Sequence, residues 1–407
     1  MKAQIVERRR LVIRFFGICV VLLGLLVLWG CSAHEPTDPR AERSAESKNI
    51  PLLPMDVAVF GAATPAMDYS AKDVWFLSNE KGEYKVTERE QIYPPTFVRG
   101  VEDTFAIMQE GNLLLVNRNG ETVASLPSGM DSWGMLRGTR SEDGRYVAML
   151  TYSDDADAAL VLSDGQQAKA QPHPLEVGGM YISNDGTVFT ATQTTTLDSS
   201  DRSNEFCIRW FSLDTEMESQ CFSMAEGRNF SFAVVGLIDG EPWTLVYWYS
   251  DDDSGFSLYK FRDGTWEFDR ELEGMKIDPR ETGYIEREMY YRGSVYLLTD
   301  KPSIIRFAFP DGNTTSVNMD FQDLSDLMTG TMISSTIDNN IVSLIFYRDK
   351  NLVAGQYVSS FNVEDPSKRV GPWEIPPEVV DSGEPSVRAV YTLFITDEKT
   401  RSMLGAE

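Results

Sequence analysis

The sequence predicts an all-β fold, and three observations carry that expectation. They are short strand-forming runs, two interleaved series of tight turns, and leftover strands at both ends of the chain. From about Pro51 onward, Val, Ile, Tyr, Phe, Trp and Thr gather in alternating runs, the composition and period of half-buried strands. Residues 104–108, 112–117, 146–152, 244–249 and 341–347 are examples. Only residues 321–328 carry a brief helical pattern, in a stretch that reads as a loop.

The turns supply the architecture. One series comprises Lys81-Gly82, Asn119-Gly120, Asp164-Gly165, Asp214-Thr215, Asp263-Gly264, Asp311-Gly312 and Asp365-Pro366, recurring every 38 to 54 residues. Asn-Gly and Asp-Gly suit two-residue hairpins because both central residues need positive φ. A second series, Asp143-Gly144, Asp185-Gly186, Asp239-Gly240, Arg292-Gly293 and Asn339-Asn340, alternates with the first. Two hairpin turns in each unit of about 47 residues mean four strands, the length and strand count of a propeller blade. Six complete units begin near Phe97, Trp133, Met180, Phe232, Tyr284 and Met332. One strand remains near residues 387–396, and three remain near 57–60, 74–78 and 84–88. Joined, they make a seventh blade that closes the ring and hides its sheet edges. The expected fold is therefore a seven-bladed β-propeller of four-stranded blades, ring closed by N- and C-terminal strands. A two-domain β-sandwich, the alternative, would not require the turn period to run unbroken through the middle of the chain.

Two blade starts, Ser141-Glu142-Asp143-Gly144 and Ser183-Asn184-Asp185-Gly186, resemble the Ser-x-Asp-Gly motif of TolB-like and WD-type bacterial propellers. The motif is turn chemistry and bears on architecture rather than on ligand.

The first thirty residues read differently. Arg8-Arg9-Arg10 and Arg14 precede an uncharged run, residues 15–30, as a basic segment precedes the apolar core of an export signal. At about 1.5 Å per residue that run spans roughly 24 Å as a helix, short of a hydrocarbon core of about 30 Å. It ends in Leu28-Trp29-Gly30-Cys31, which resembles a bacterial lipobox. The resemblance implies cleavage before Cys31 and attachment of diacylglycerol and palmitate to it. An uncleaved anchor helix is the alternative. Residues 32–49 are rich in Pro, Ser and charge without period, the composition of a flexible tether. The expected division is thus 1–30 signal peptide, 31–50 tether and 51–407 a single β-propeller domain, extracytoplasmic and held at a membrane by lipid.

Cys207 and Cys221 each lie seven residues from Asp214. A hairpin turning there sets them opposite each other, within disulfide range. Outside the cytoplasm such a pair oxidises, and its role is to staple one blade.

Composition limits the chemistry. A net charge of −25 repels phosphate backbones, so no nucleic-acid partner is expected. Only two histidines are present, His34 and His173, which argues against a His-rich metal site or a His-pair mechanism. His173, between Pro172 and Pro174, reads as an exposed turn residue without an accompanying Gly-x-Ser-x-Gly. No P-loop or Rossmann fingerprint occurs, and no cofactor or metal is expected.

Binding candidates lie on loops between second and third strands. Ser153-Asp154-Asp155-Ala156-Asp157 and Ser250-Asp251-Asp252-Asp253 are acidic, but lack the ordered ligand spacing of a calcium loop, and read more simply as solvated tips. A longer polar loop, residues 197–204, lies between them in sequence. Trp133 stands at a blade entrance. Trp243, Tyr247 and Tyr249 alternate to one side of a strand and Trp248 to the other, more as inter-blade core than as a sugar-stacking platform. The expected function is non-enzymatic binding of a protein or cell-envelope polymer through one loop face. The alternative is an extracytoplasmic glycan-active hydrolase or lyase using channel carboxylates.

Overall fold

The computed structural model describes most of residues 50–406. Residues 1–49, 64–71, 194–204, 273–284, 309–315, 321–331, 348–354, 377–388 and several shorter loops lie outside the described residues. The expected signal peptide, lipobox and tether, and the helical pattern at 321–328, fall there.

The strands make four-stranded antiparallel sheets. Six are built from consecutive strands. Blade 1 runs from Val98–Arg99 to Thr122–Pro127, and blade 2 from Gly134–Arg140 to Ala168–His173. Blade 3 runs from Gly179–Ile182 to Glu218–Ser223, and blade 4 from Asn229–Ile238 to Thr265–Leu272. Blade 5 runs from Ile285–Tyr291 to Ser316–Asp320, and blade 6 from Met332–Asp338 to Arg369–Glu374. The remaining sheet is composite, ordered Ala389–Ile395, Ala58–Ala63, Lys72–Ser78, Tyr84–Glu90. The expected count of seven blades is corrected accordingly. Six blades, not seven, form from four consecutive strands, because the last four strands come from the two ends of the chain.

Two of the turns that set the period have both central residues in the left-handed region. Asp263 and Gly264 have φ of 51° and 83°, and Arg292 and Gly293 of 43° and 74°, the left-handed pair that a two-residue hairpin needs. In the Ser-x-Asp-Gly turns, Ser141 Oγ donates to Asp143 Oδ1 at 2.7 Å and Asp143 Oδ1 accepts the Arg145 N–H at 3.1 Å. Ser183 and Asp185 repeat the first contact. The two corners also touch. Asp143 N–H donates to Asn184 Oδ1 at 3.1 Å, and Arg145 donates to the Asn184 carbonyl at 2.8 Å. These motifs tie neighbouring blades together.

Apolar side chains fill the spaces between successive sheets. Phe232, Trp243, Leu245 and Phe256 of blade 4 pack with Val295, Leu297 and Phe307 of blade 5. Trp248 and Val246, on the opposite face of the same strand, pack toward Phe206 and Ile208 of blade 3. Alternation therefore puts both faces of this strand in core, and only its two end residues, Glu241 and Tyr249, are exposed. On the other side of the ring, Phe105 of blade 1 meets Phe394 of the composite sheet, ring centres 6.0 Å apart. Each such fully buried large side chain contributes about 1.5–3 kcal/mol.

Blades 3 and 4 approach each other closely. Ala233 N–H donates to the Gly178 carbonyl at 3.0 Å, and a Cβ on Gly179 would stand 2.1 Å from the Ala233 carbonyl oxygen. Gly178-Gly179 is what permits a backbone hydrogen bond between two blades at the channel wall.

Cys207 and Cys221 are cross-strand partners in blade 3 and form a disulfide, with Cα atoms 4.0 Å apart. The bond joins the third and fourth strands of that blade.

Candidate functional site in the central channel

The first strand of each blade, and residues 389–395 of the composite sheet, line a central cavity of about 300 Å³. Several of these strands carry a β-bulge near their start, at Met135/Arg137, Phe230/Phe232, Ile285/Arg287 and Met332/Ser334. Bulges re-aim the side chains that follow. Arg137 and Glu288, each close behind one, pair with each other across the channel between blades 2 and 5.

A second charged cluster closes one rim. Arg99, Arg140 and Asp338 are the last residues of the first strands of blades 1, 2 and 6. Arg401 stands on the short helix Glu398–Met403, which follows the composite sheet. Asp338 Oδ2 accepts from Arg99 at 2.9 Å and from Arg401 at 2.5 Å. Its Oδ1 lies 2.7 Å from Arg140 Nη2, an ion pair without the alignment of a hydrogen bond. Arg401 donates also to the Ile395 carbonyl at 3.1 Å. One carboxylate on blade 6 thus holds groups from blades 1 and 2 and from the helix.

The energetics of this cluster are set by burial. The Asp338 side chain is only 4% exposed, and those of the three arginines 12–15%. Burial alone would raise the Asp338 carboxyl, but Arg140, Arg99 and Arg401 outweigh it and hold it at about 2. For Arg140, burial and the charges of Arg99 and Arg401 lower the guanidinium against the opposing pull of Asp338. Its Nε is buried and makes no hydrogen bond to any described residue.

Glu142 borders the same cavity just beyond Arg140, and partial burial pushes its carboxyl up against the pull of Arg292. Tyr181 and Tyr290 form an aromatic wall, rings edge-on at 5.8 Å. Burial drives the Tyr181 phenol upward as well, so it stays protonated.

Most of the residues singled out from sequence cannot be placed against this cavity. Trp133, Asp154, Asp155, Asp157, Asp251 and Asp252 lie outside the described residues, as do Cys31 and loop 197–204. Asp253 is described and exposed. Its backbone N–H donates to Ser250 Oγ at 3.0 Å, closing a tight loop. That loop joins second to third strands and therefore opens on the face opposite the turns that follow Arg140 and Asp338. His173 is corrected from an exposed turn residue to a buried one, 6% exposed at the end of a blade-2 strand. Its Nδ1–H donates to the Pro174 carbonyl and its Nε2 accepts from the Thr190 hydroxyl, both at 2.8 Å. Burial pushes the imidazole down to about 4. Among the described residues, no three His, Cys, Asp or Glu side chains gather as a metal set.

These features define an all-β propeller with four-stranded blades and a charged central cavity. No protein-family model and no curated protein matches the sequence. Solved structures with similar coordinates include TolB-like and WD40 propellers. A protein assigned as a 6-phosphogluconolactonase from Bacteroides fragilis is 10% identical, covers 84% of this chain and 98% of its own, and has a TM-score of 0.46. One assigned as TolB from Agrobacterium tumefaciens is 12% identical over 64% of this chain and 93% of its own, TM-score 0.34. A prolyl endopeptidase is 13% identical over 83% of this chain, TM-score 0.38, and this chain spans 44% of its length. At TM-scores below 0.5 these likenesses carry no inference about activity.

Proposed function

We propose that the chain is a lipid-anchored, extracytoplasmic propeller that binds an envelope protein or polymer without covalent chemistry. The observation that carries this reading is the state of Asp338. A carboxyl held at about 2 by three guanidiniums stays ionised at neutral pH and has no proton to donate, so it acts as a fixed charge. Arg137 and Glu288 are likewise committed to each other. Pre-paired charges on a rigid wall suit recognition. The lipid anchor rests on Leu28-Trp29-Gly30-Cys31 and the tether that follows it.

The test is in-cell cross-linking, affinity purification and mass spectrometry. The parent is compared with a variant whose acidic loops, Asp154, Asp155, Asp157 and Asp251 to Asp253, are changed to Asn. A specific envelope partner lost in the variant supports binding through that face. No partner in either sample sinks the reading. In parallel, Cys31→Ala is expected to move the protein from the membrane to the soluble fraction, and continued membrane retention would refute the lipid anchor.

A second reading has one observation in its favour. Glu142 is a raised carboxyl at the cavity wall beside Tyr181, the environment of a general acid in glycan cleavage. Release of reducing ends from envelope glycans by the parent, lost in Glu142→Gln, would establish it.

A further inference from the structure

We infer that Glu142, Tyr181 and Tyr290 form, at the mouth of the channel cavity, a subsite for one uncharged sugar unit. It rests on the binding reading above and deepens it by narrowing the envelope polymer to one that presents neutral sugars.

Hydrogen-bonding groups stand ready there. Glu142 and Tyr181 both border the cavity. Besides burial, the largest influence on the Tyr181 phenol is the Glu142 carboxylate, so the two groups are neighbours. Among the described residues, no hydrogen bond or ion pair engages the Glu142 carboxyl or the Tyr181 hydroxyl. Tyr181 is only 7% exposed as a whole, yet its hydroxyl is not sealed from solvent. Glu142 is exposed. A carboxyl accepts from two hydroxyls, and a phenol both donates and accepts, which complements the adjacent hydroxyls of a sugar. A site built on such groups discriminates strongly for a ligand that carries the hydroxyls.

The charges around the cavity answer one another. Glu142, Glu288 and Asp338 line it together with Arg99, Arg137 and Arg140. Glu288 pairs with Arg137, and Asp338 with Arg99 and Arg140. Arg292 and Asp143, of opposite sign, both act on the Glu142 carboxyl. A charged ligand would give up its hydration without meeting an unanswered charge, whereas an uncharged polar one costs far less to desolvate.

The wall beside these groups is aromatic and fixed. Tyr290 donates its hydroxyl to the Leu237 carbonyl and accepts the Gly293 N–H at 3.0 Å. Trp243 packs edge-on against its ring at 5.3 Å, and Tyr181 at 5.8 Å. The ring is therefore in place before any ligand arrives. An aromatic wall with a few placed polar groups is the usual make-up of a ligand pocket. Here it would meet the C–H face of a sugar while Glu142 and Tyr181 meet its hydroxyls. A volume of about 300 Å³ lies at the small end of ligand pockets, which suits one unit rather than a run of them.

Ligand-observed NMR titration of the purified full chain at neutral pH tests the subsite. The neutral probes are D-glucose, D-galactose and N-acetyl-D-glucosamine, and the charged ones D-glucuronate and D-glucosamine. Saturable binding of at least one neutral sugar, tighter than either charged probe, is the expected result. Glu142→Gln keeps the shape of the side chain and removes its charge, and is expected to weaken that binding by about tenfold. Tyr181→Phe keeps the ring and removes the hydroxyl, and is expected to weaken it by about threefold to tenfold. Should Tyr181→Phe fail to fold, Glu142→Gln, an exposed position, decides alone. No saturable binding by any of the three neutral sugars overturns the subsite. So does a charged probe that binds as tightly as the best neutral one, or unchanged affinity in Glu142→Gln. An envelope partner captured despite such a failure leaves the broader binding reading in place. Sugar binding without any captured partner supports the subsite and overturns that broader reading instead.

Discussion

Replacing Asp338 by Asn keeps the shape of the side chain and removes the one charge that three guanidiniums share. A carboxyl moved from 3.8 to about 2 represents about 2 kcal/mol of native-state stabilisation at neutral pH. The substitution also removes the carboxylate charge that Arg99, Arg140 and Arg401 face. Breaking a buried pair from one side costs about 3–5 kcal/mol in all. Urea denaturation of parent and Asp338→Asn at pH 7 reads that difference directly. Its pH dependence is the sharper test. Because folding depresses the carboxyl, its contribution is fully present above the unfolded value of 3.8 and is lost as pH falls through about 2. The gap between the two proteins is therefore expected to be constant from pH 7 to about 5. By pH 3 it should have narrowed by about 1 kcal/mol. A variant within about 0.5 kcal/mol of the parent at pH 7, below the usual cost of losing a buried charge, refutes the argument. So does a gap that does not narrow by pH 3.

Three further outcomes are expected. His173 stays neutral in the fold down to about 4 while the unfolded imidazole titrates at 6.5. Stability therefore falls by about 3 kcal/mol as pH drops from 6.5 to 4, and proton NMR titration of the imidazole, with only His34 as a second signal, checks the folded value. Removing the blade-3 disulfide by Cys207→Ser and Cys221→Ser, a loop of 14 residues in separation, is expected to cost about 3 kcal/mol in chemical denaturation. Gly179→Ala would put a Cβ against the Ala233 carbonyl. The forced separation of blades 3 and 4 is expected to cost about 1–3 kcal/mol, and a melting temperature equal to the parent's would contradict the close approach.

Strands and turns were legible because local chemistry sets them. Asp263-Gly264 and Arg292-Gly293 occupy the left-handed turns that their positions in the repeat imply, and Cys207 and Cys221 fall opposite each other about Asp214. That strands from the two ends share one sheet also followed from counting what the six blades leave over, whereas their order, 389–395 beside 58–63, is shown only by the structure. The charged rim was not legible. Arg99, Arg140, Asp338 and Arg401 are scattered over three hundred residues, and nothing near any one of them marks it. A partial signal existed in position, since Arg140 and Asp338 each end the strand before a second-series turn. His173 misled because two flanking prolines suggested a surface turn. Its burial depends on Thr190, a residue of the next blade.

The composite sheet bears on how this chain reaches its native state. Phe60 pairs with Leu393, so one of the longest sequence separations in the molecule lies within a single hydrogen-bonded ladder. Such topologies have high contact order and fold slowly, since the loop entropy is lost before the contact is gained. Until residues 389–395 arrive, the strand Ala58–Ala63 has a partner on one side only, and an open strand edge invites pairing with other chains. A polypeptide emerging from its N-terminal end therefore carries that exposed edge for nearly the whole of its synthesis. A chaperone that shields strands 58–90 until the last strand docks would act at the step where this architecture is most prone to aggregate.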